Sequence, residues 1–351
     1  MSTPAPPEDP KHGGSTNRIG LLLHDYKGKE STLCAGCGHD AITSQIIRAF
    51  FQYGAEPHRV VKLSGIGCSS KTPAYFLDRA HGFNAVHGRM PSVGTGAVLA
   101  NHTLLAIGVS GDGDTASIGI GQFVHMVRRN TPMIYVLENN GVYGLTKGQF
   151  SATADPGSTL KTGVINDLPA IDCCALAIEL GCGYVARSFA GDPKQLLALL
   201  LGAIAHRGTA LLDVISPCVT FNNHEGSTKS YRYAKEAEEL LHAVNFVPFF
   251  EPITADYDEG QTKVVTLHDG SRITLRKLAR EFEPRNPIEA LRVLHESRLK
   301  RELITGLLHV DPEKPDLTRL LDLPDEPLSR LAPEKVRPGR AALEEIMEAL
   351  R

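Results

Sequence analysis

Two carboxylates lie in a glycine-rich turn of the kind that binds phosphate. Residues 111–122 read GDGDTASIGIGQ and follow an apolar run, LLAIGV, that is typical of a buried strand. A glycine turn between a strand and a helix collects phosphate through its backbone N–H groups and the helix dipole. The carboxylates of Asp112 and Asp114 would repel that phosphate. The turn therefore predicts a cation between the acid and the phosphate.

A second polar pair offers the oxygen ligands that such a cation needs. Asn139 and Asn140 come directly after PMIYVLE, the next run that reads as a buried strand. The carboxyl ends of neighbouring parallel strands meet at one edge of a sheet, which is where ligands bind. Mg²⁺ takes carboxylate, amide and phosphate oxygens together. The two turns thus predict a magnesium site beside a phosphate.

Four cysteines in three loops indicate a metal centre. Cys34 and Cys37 form a C-x-x-C pair before a helix. Cys68 lies in the turn GIGCSS, and Cys218 follows a strand. Four thiolates can hold zinc or an iron–sulfur cluster, and the C-x-x-C pair alone would also fit a redox dithiol. The turn around Cys68 should face the cofactor, where an electron carrier is useful, and this favours a [4Fe-4S] cluster.

Composition excludes several partners. The chain has 351 residues, a formal net charge of -3 and no basic run, so we expect no nucleic-acid partner. The N-terminus lacks a signal pattern, and the longest apolar run, residues 196–205, is far short of the roughly 20 residues that cross a bilayer. We therefore expect a cytoplasmic protein with no membrane contact. The remaining cysteines, in IDCCALAIELGC, are expected in the core.

Apolar strands alternate with amphipathic helices from about residue 40 onward. This pattern predicts an α/β fold, a parallel sheet with helices on both faces. Residues 1–18, rich in Pro and Gly, are predicted to be disordered or to lie on a partner, and residues 19–228 to form the cofactor domain. Residues 229–351 are predicted to be a C-terminal extension. We expect it to contain a hairpin at about 263–277 and helices at about 287–308 and 340–351.

The two polar turns together resemble thiamine diphosphate enzymes. In that family GDG is followed by a helix, a strand and NN, as in this chain. The resemblance implies that Mg²⁺ is held by Asp112, Asn140 and the backbone carbonyl of Val142. It also implies that the N–H of Asp114 contacts the diphosphate, and we expect the Asp114 side chain to cap the following helix.

Six ordered motifs narrow the resemblance to the beta subunits of 2-oxoacid:ferredoxin oxidoreductases, most closely the 2-oxoglutarate type. They are CAGCGH, GIGCSSKTP, HGRMPSVGTG, GDGD, ENNGVYGLTKGQ and SPCVTFN, between about residues 33 and 223. The resemblance implies a [4Fe-4S] cluster held by Cys34, Cys37, Cys68 and Cys218. It implies that thiamine diphosphate is surrounded by Ile66, Gly67, Cys68, Ser69, His87, Gly88, Gly113, Asp114, Gly144 and Leu145.

This family decarboxylates a 2-oxoacid, passes the electrons through the cluster to ferredoxin and transfers the acyl group to coenzyme A. The glutamate that activates thiamine lies in a pyrimidine-binding domain, for which this chain offers no second sheet. The resemblance thus implies an alpha subunit as partner, in an alpha–beta heterodimer or its dimer. Lys71 is the candidate for binding the distal carboxylate of 2-oxoglutarate. Leu145 is expected to form a pocket wall, and His87 to contact the cofactor or anchor its loop.

Three other interpretations stay open on the sequence. The substrate could be pyruvate or indolepyruvate, since those enzymes share most of the motifs. Residues 111–116 also satisfy G-x-G-x-x-A, and an NAD-dependent dehydrogenase would use Glu138 to bind ribose, leaving the cysteines unexplained. A non-catalytic subunit that binds zinc is the third.

Overall fold

One large β-sheet with helices on both faces forms the described part of the chain. The structure is a computed structural model and describes residues 15–146, 148–158, 160, 163–218, 252–267 and 272–351. Its strands are β1 Val60–Ser64, β2 His81–Asn84, β3 Leu105–Gly111, β4 Met133–Asn139, β5 Val142–Tyr143, β6 Gln149–Phe150, β7 Tyr184–Phe189, β8 Thr209–Ile215, β9 Thr262–Thr266, β10 Arg272–Lys277 and β11 Leu303–Val310. Its α-helices are α1 Gly38–Tyr53, α2 Met90–Ala100, α3 Ile120–Arg128, α4 Cys173–Glu179, α5 Pro193–Ala205, α6 Pro287–Leu299, α7 Leu317–Leu320, α8 Pro333–Val336 and α9 Arg340–Ala349.

The main sheet has nine strands within the described ranges, in the order β2-β1-β3-β4-β8-β7-β11-β10-β9. The first six of these are parallel to one another. The strand β11 is antiparallel to β7, and β9 is antiparallel to β10. The short strands β5 and β6 pair separately. The predicted fold class, an α/β protein with a largely parallel sheet, is confirmed.

The central strands are buried because helices cover both faces of the sheet. All five residues of β1 are buried, as are the central residues of β3, β4 and β8. Helices α2, α3, α4 and α6 pack on one face, and α1 and α5 on the other. This explains the uninterrupted apolar runs in the sequence, since a parallel strand covered on both sides has no solvent-facing side.

The topology brings the motif-bearing turns to one edge of the sheet. Strands β1, β3, β4 and β8 are adjacent and parallel, so their carboxyl ends point the same way. The turns that follow them hold the first glycine motif, GDGD, the asparagine pair and the SPC segment. Two turn glycines, Gly67 with φ +115° and Gly141 with φ +75°, have backbone conformations that favour glycine. The turns that follow β1, β3, β4 and β8 therefore all start at the carboxyl edge of the sheet.

The helix predicted for residues 287–308 is wrong in its second half. Helix α6 ends at Leu299, and Arg301 adopts a left-handed conformation with φ +57°. Residues 303–310 form β11, which pairs with both β7 and β10. The run LITGLLHV carries apolar residues at spacings that fit a helix or a buried strand, and only its pairing with the sheet decides between them.

Other predicted elements of the C-terminal part agree with the structure. Strands β9 and β10 form the predicted antiparallel pair, although its turn, 268–271, lies outside the described residues. The last helix, α9, matches the predicted position. The proposed boundary at residue 228 also lies outside the described residues, and the strands after it continue the main sheet. We retain the division into cofactor domain and extension as a proposal.

The predicted terminal segment is tied to the domain at its end. Residues 1–14 lie outside the described residues. The side-chain amide of Asn17 donates a hydrogen bond to the Tyr26 hydroxyl at 2.8 Å. The guanidinium of Arg18 lies 5.4 Å from the centre of the Tyr53 ring. In the described part of the chain, no helix combines the length and the apolar character needed to cross a membrane.

A buried ion-pair cluster lies between β7, β8 and α4. The Arg187 guanidinium donates from Nη2 to Asp172 at 2.7 Å and from Nε to Asp213 at 2.8 Å. Burial alone would raise the pKa of Asp172, but the neighbouring guanidinium lowers it below its usual value. Asp172 also caps α4 by accepting from the N–H groups of Cys174 and Ala175. The cluster thus joins a helix start to two central strands.

We expect Arg187→Met to destabilise the protein strongly. It leaves two carboxylates without their cation in the interior, and breaking a buried pair costs ~3–5 kcal/mol. Urea unfolding followed by circular dichroism measures the change. Arg292→Met is the control, because that arginine pairs with Glu289 and Glu296 on an exposed helix face and should matter little. Equal effects of the two substitutions would contradict the assignment of Arg187.

Candidate functional site

A cleft opens at the carboxyl edge of the sheet, where the turns after β1, β3 and β4 meet. Its volume is about 100 Å³, and it is open to solvent. The predicted site residues that line it are Ile66, Gly67, Cys68, Ser69, His87, Asp112, Gly113, Asp114, Asn140, Val142, Gly144 and Leu145. The rest of its lining comprises His39, Gly111, Ile118, Glu138, Tyr143 and Thr146. The structure thus brings most of the predicted cofactor residues together.

The carboxylate of Asp112 is buried among neutral groups. The residue is 1% exposed, and the backbone N–H of Asn140 donates to its Oδ1 at 3.2 Å. The hydroxyls of Ser151 and Thr153 both donate to its Oδ2, the second at 2.8 Å. Burial raises the pKa of Asp112, and these hydrogen bonds offset part of the rise. A buried carboxylate is most stable beside a cation, so this environment suits a metal ion.

The other two predicted magnesium ligands lie in the adjoining turn. The Asn140 side-chain oxygen accepts from the Val142 N–H at 3.1 Å, which closes the turn at Gly141. Carboxylate, amide and backbone carbonyl oxygens of Asp112, Asn140 and Val142 are therefore supplied by two neighbouring turns. Hard oxygen donors of this kind fit Mg²⁺. These three ligands include a single carboxylate. Among the described residues, no group of three or more His, Cys, Asp or Glu side chains is arranged around a metal position.

The turn after Asp112 continues into one turn of π-helix, Gly113–Ile118. The expectation that the Asp114 side chain caps this helix is wrong. Its carboxylate instead accepts from the Gly88 N–H at 2.7 Å and from the Ser110 hydroxyl at 2.9 Å. A Cβ on Gly88 would lie 2.7 Å from Gly119, so glycine is required for this close approach. Gly88 therefore lies behind the cleft and fixes the GDGD turn.

Two features of the cleft wall fit a phosphate ligand. Ser69 is 2% exposed, and within the described structure its hydroxyl has no hydrogen-bond partner. A Cβ on Gly113 would lie 2.5 Å from the ring of Tyr143, whose hydroxyl donates to the Gly113 carbonyl at 3.0 Å. A ligand rich in acceptor oxygens needs hydrogen-bond donors that it can approach closely. The Ser69 hydroxyl, without a partner among the described residues, and the backbone at Gly113, which carries no side chain, meet this need. The residues present thus fit a diphosphate.

The three candidate catalytic residues, Lys71, Leu145 and His87, occupy different places. His87 and Leu145 line the cleft and are exposed at its mouth, Leu145 with 55% of its surface accessible. Lys71 lies outside the cleft lining, on the 3-10 helix Cys68–Ala74. Its ammonium group is 3.5 Å from the carbonyl oxygen of Thr32. Lys71 is therefore beside the cleft rather than in it.

Glu138 connects the cleft to the cysteine-bearing loops. It is fully buried, its carboxylate accepts from the Thr72 hydroxyl at 3.1 Å, and it lies 3.6 Å from Nδ1 of His39. The same His39 nitrogen is 2.8 Å from the hydroxyl of Ser216. Burial raises the pKa of Glu138 well above its usual value and lowers that of His39 to about 4. Although Glu138 lines the cleft, its carboxylate is turned to Thr72 and His39, and this does not favour the binding of a ribose hydroxyl.

The four candidate cluster ligands lie on the loops that this polar group joins. Thr72, His39 and Ser216 are close in sequence to Cys68, Cys37 and Cys218, respectively. Burial raises the pKa of Cys37, and the nearby Cys218 contributes to the rise. Burial likewise raises the pKa of Cys68, to which Cys34 contributes. Each of these two thiols is thus influenced by one other candidate ligand, while the described residues hold no group of three or more such side chains around a metal position. Residues 219–251 lie outside the described part of the chain.

Three side chains of the site were missed by the sequence reasoning. Ser151 and Thr153 contact Asp112 across 39 and 41 positions of chain, and Tyr143 contacts Gly113 across 30. No pattern of residue spacing marks these hydroxyl side chains as part of the site, so the contacts become visible only in the folded chain. The expectation that Cys173, Cys174 and Cys182 lie in the core is confirmed, since all three are buried.

Known proteins resemble this chain along most of its length. The family model for the C-terminal binding domain of thiamine pyrophosphate enzymes matches residues 65–214. The beta subunit of a 2-oxoacid:ferredoxin oxidoreductase from a Sulfolobus species is 39% identical over 241 residues, which cover 68% of this chain and 76% of that protein. The 2-oxoglutarate oxidoreductase subunit KorB of Mycobacterium tuberculosis is 35% identical, over 64% of this chain and 62% of that one.

A solved structure resembles the chain in three dimensions as well. It is a 2-oxoglutarate:ferredoxin oxidoreductase from Magnetococcus marinus with 2-oxoglutarate, coenzyme A and succinyl-CoA bound. The match has a TM-score of 0.69 and 30% sequence identity, and it covers 86% of this chain and 89% of the other. At 86% of this chain, the structural match extends beyond residues 65–214, which the family model matches. The chain therefore belongs to the family of 2-oxoacid:ferredoxin oxidoreductase beta subunits, which are subunits of enzymes that bind thiamine diphosphate.

Proposed function

We propose that this beta subunit takes part in the coenzyme A-dependent oxidative decarboxylation of 2-oxoglutarate to succinyl-CoA and CO2, with the electrons delivered to ferredoxin. The observation that carries the proposal is the arrangement of Asp112 and Asn140 on the cleft that Cys68 also lines. A metal–diphosphate site and a cysteine cluster would then share one cavity. The names of the relatives, which include 2-oxoglutarate oxidoreductases, favour this substrate over pyruvate or indolepyruvate.

Asp112, Asn140 and the Val142 carbonyl would hold Mg²⁺, which would supply positive charge beside the diphosphate of thiamine. Ser69, Gly113 and Asp114 would contact that diphosphate, while Leu145 and His87 flank the open end of the cleft. When bound, thiamine diphosphate would supply a nucleophile for a keto carbon and an electron sink for decarboxylation. The role of this chain would be to fix the end of the cofactor that lies against the metal.

Cys34, Cys37, Cys68 and Cys218 would hold a [4Fe-4S] cluster, which supplies a one-electron carrier beside the cofactor. The placement of Cys68 on the cleft wall supports this, together with the electrostatic influence of Cys218 on the pKa of Cys37 and of Cys34 on that of Cys68. Glu138 and His39 would keep the three loops in register through Thr72 and Ser216. The alpha subunit would supply the pyrimidine-binding domain and its glutamate. Exposed apolar side chains near the cleft, Val86, Ile118 and Leu145, suit a face that such a partner covers.

A [4Fe-4S] cluster would give the protein visible absorption and bound iron. Anaerobically purified protein should be brown, with broad absorption that bleaches on reduction, and Cys68→Ser or Cys218→Ser should lower its iron content sharply. Iron analysis and absorption spectroscopy measure this. Cys182→Ala is the control, because that thiol is buried in the core against the carbonyls of Tyr184 and Thr209 and should leave iron unchanged. A colourless protein containing zinc would contradict the redox role.

Activity should require the alpha subunit. The described part of this chain contains one main sheet, which carries the metal–diphosphate motif, and no second sheet of comparable size to bind the pyrimidine. The purified beta chain should therefore give no reduction of a dye acceptor with 2-oxoglutarate, and adding the alpha subunit should restore it. Substantial turnover by the beta chain alone would rule out the division of labour proposed here.

Lys71 should affect discrimination between substrates. An ammonium that pairs with the distal carboxylate of 2-oxoglutarate contributes a charge-assisted hydrogen bond, whose loss costs about tenfold or more in binding. Lys71→Ala should raise the KM for 2-oxoglutarate by that factor and leave the KM for pyruvate nearly unchanged. Steady-state kinetics with each substrate measure the two KM values. Lys29→Ala, which removes an exposed lysine on the segment paired with Ala74, is the control. Equal losses for both substrates would exclude this role.

A further inference from the structure

The Asp112 carboxylate is held from behind by two hydroxyl groups of one segment. Ser151 and Thr153 follow β6 in the stretch GQFSATA, and both donate to Oδ2 of Asp112. Ser151 is buried, and its hydroxyl also lies 2.9 Å from that of Thr153. Oδ1 accepts a longer hydrogen bond from the Asn140 N–H, at 3.2 Å. The two oxygens of the carboxylate are therefore held by different parts of the chain.

Thr153 also links this carboxylate to the sheet interior. Its hydroxyl lies 3.0 Å from Oδ1 of Asn139, whose side-chain amide donates to Asp213 at 3.0 Å. Asp213 in turn accepts from Nε of Arg187 at 2.8 Å. A hydroxyl has one proton, so while Thr153 donates to Asp112 its contact with the Asn139 oxygen is not a hydrogen bond. Polar contacts between neighbouring groups thus extend from the buried arginine to the proposed metal ligand, and the shorter contact of Thr153 is the one to Asp112.

We infer that Ser151 and Thr153 are positioning residues for the metal: they fix the plane of the Asp112 carboxylate so that it meets Mg²⁺ together with Asn140. This rests on the proposed function, in which Asp112 holds the metal. Removing a group that orients a metal ligand through a hydrogen bond lowers the metal affinity by about 10- to 100-fold. Neither residue touches the metal in this account, and each acts only through Asp112.

The test is the affinity of the assembled alpha–beta complex for Mn²⁺ as a spectroscopic substitute for Mg²⁺. The complex is stripped of divalent metal with a chelator, supplied with thiamine diphosphate and titrated with Mn²⁺, with the unbound ion measured by electron paramagnetic resonance. Thr153→Val, which keeps the shape and removes the hydroxyl, should weaken binding about 10- to 100-fold. Ser151→Ala should weaken it as well, and Thr153→Ser should bind close to wild type.

Two controls separate the possible outcomes. Ser117→Ala removes the hydroxyl that accepts from the Ala152 N–H at 3.0 Å, so it perturbs the same segment without touching the carboxylate and should bind normally. Asp112→Asn should abolish binding. Wild-type affinity in both hydroxyl variants, or an equal loss in Ser117→Ala, would overturn the positioning role alone. Indistinguishable binding by wild type and Asp112→Asn would overturn the proposed metal site and, with it, this inference. Circular dichroism and complex yield confirm that each variant folds.

Discussion

The site depends on one electrostatic constraint, a carboxylate buried among neutral partners beside a turn suited to phosphate. Asp112 gains hydrogen bonds from two hydroxyls and a backbone N–H, and none of these supplies a positive charge. A negative ligand could approach this carboxylate only with a cation between them. The parallel sheet brings the ends of β3 and β4 together, so that the other proposed metal ligands, Asn140 and Val142, lie in the turn next to Asp112.

A second arrangement places the cysteines next to this cleft. Glu138 lies in β4, one position before the asparagine pair, and it contacts Thr72 and His39 from two different segments. The strand that presents the proposed metal ligands therefore also anchors the loops that carry the thiols. Such a layout would keep the proposed cofactor and the proposed electron carrier at a fixed separation, as the proposed function requires. The buried hydrogen bond between Arg187 and Asp213 lies behind the same edge, next to Asn139.

Much of the fold and of the cleft could be predicted from sequence because the signals were local. Apolar runs ending in glycine turns indicated the strands, and their alternation with helices indicated a parallel sheet, so GDG and NN had to meet at one edge. The strand β11 could not be distinguished from a helix, since its pattern fits both until it pairs with β7. The true partners of Asp114, which are Gly88 and Ser110, and the hydroxyls on Asp112 depend on contacts between distant segments. The spacing of residues along the sequence does not predict contacts of this kind.

The most direct test is an experimental structure of the assembled alpha–beta complex prepared with Mg²⁺ and thiamine diphosphate. The account predicts one divalent ion bound to the Asp112 carboxylate, the Asn140 side-chain oxygen and the Val142 carbonyl, with the diphosphate against Gly113 and Ser69. A metal-free turn at Asp112 with the diphosphate elsewhere, or a nicotinamide nucleotide in this cleft, would contradict it.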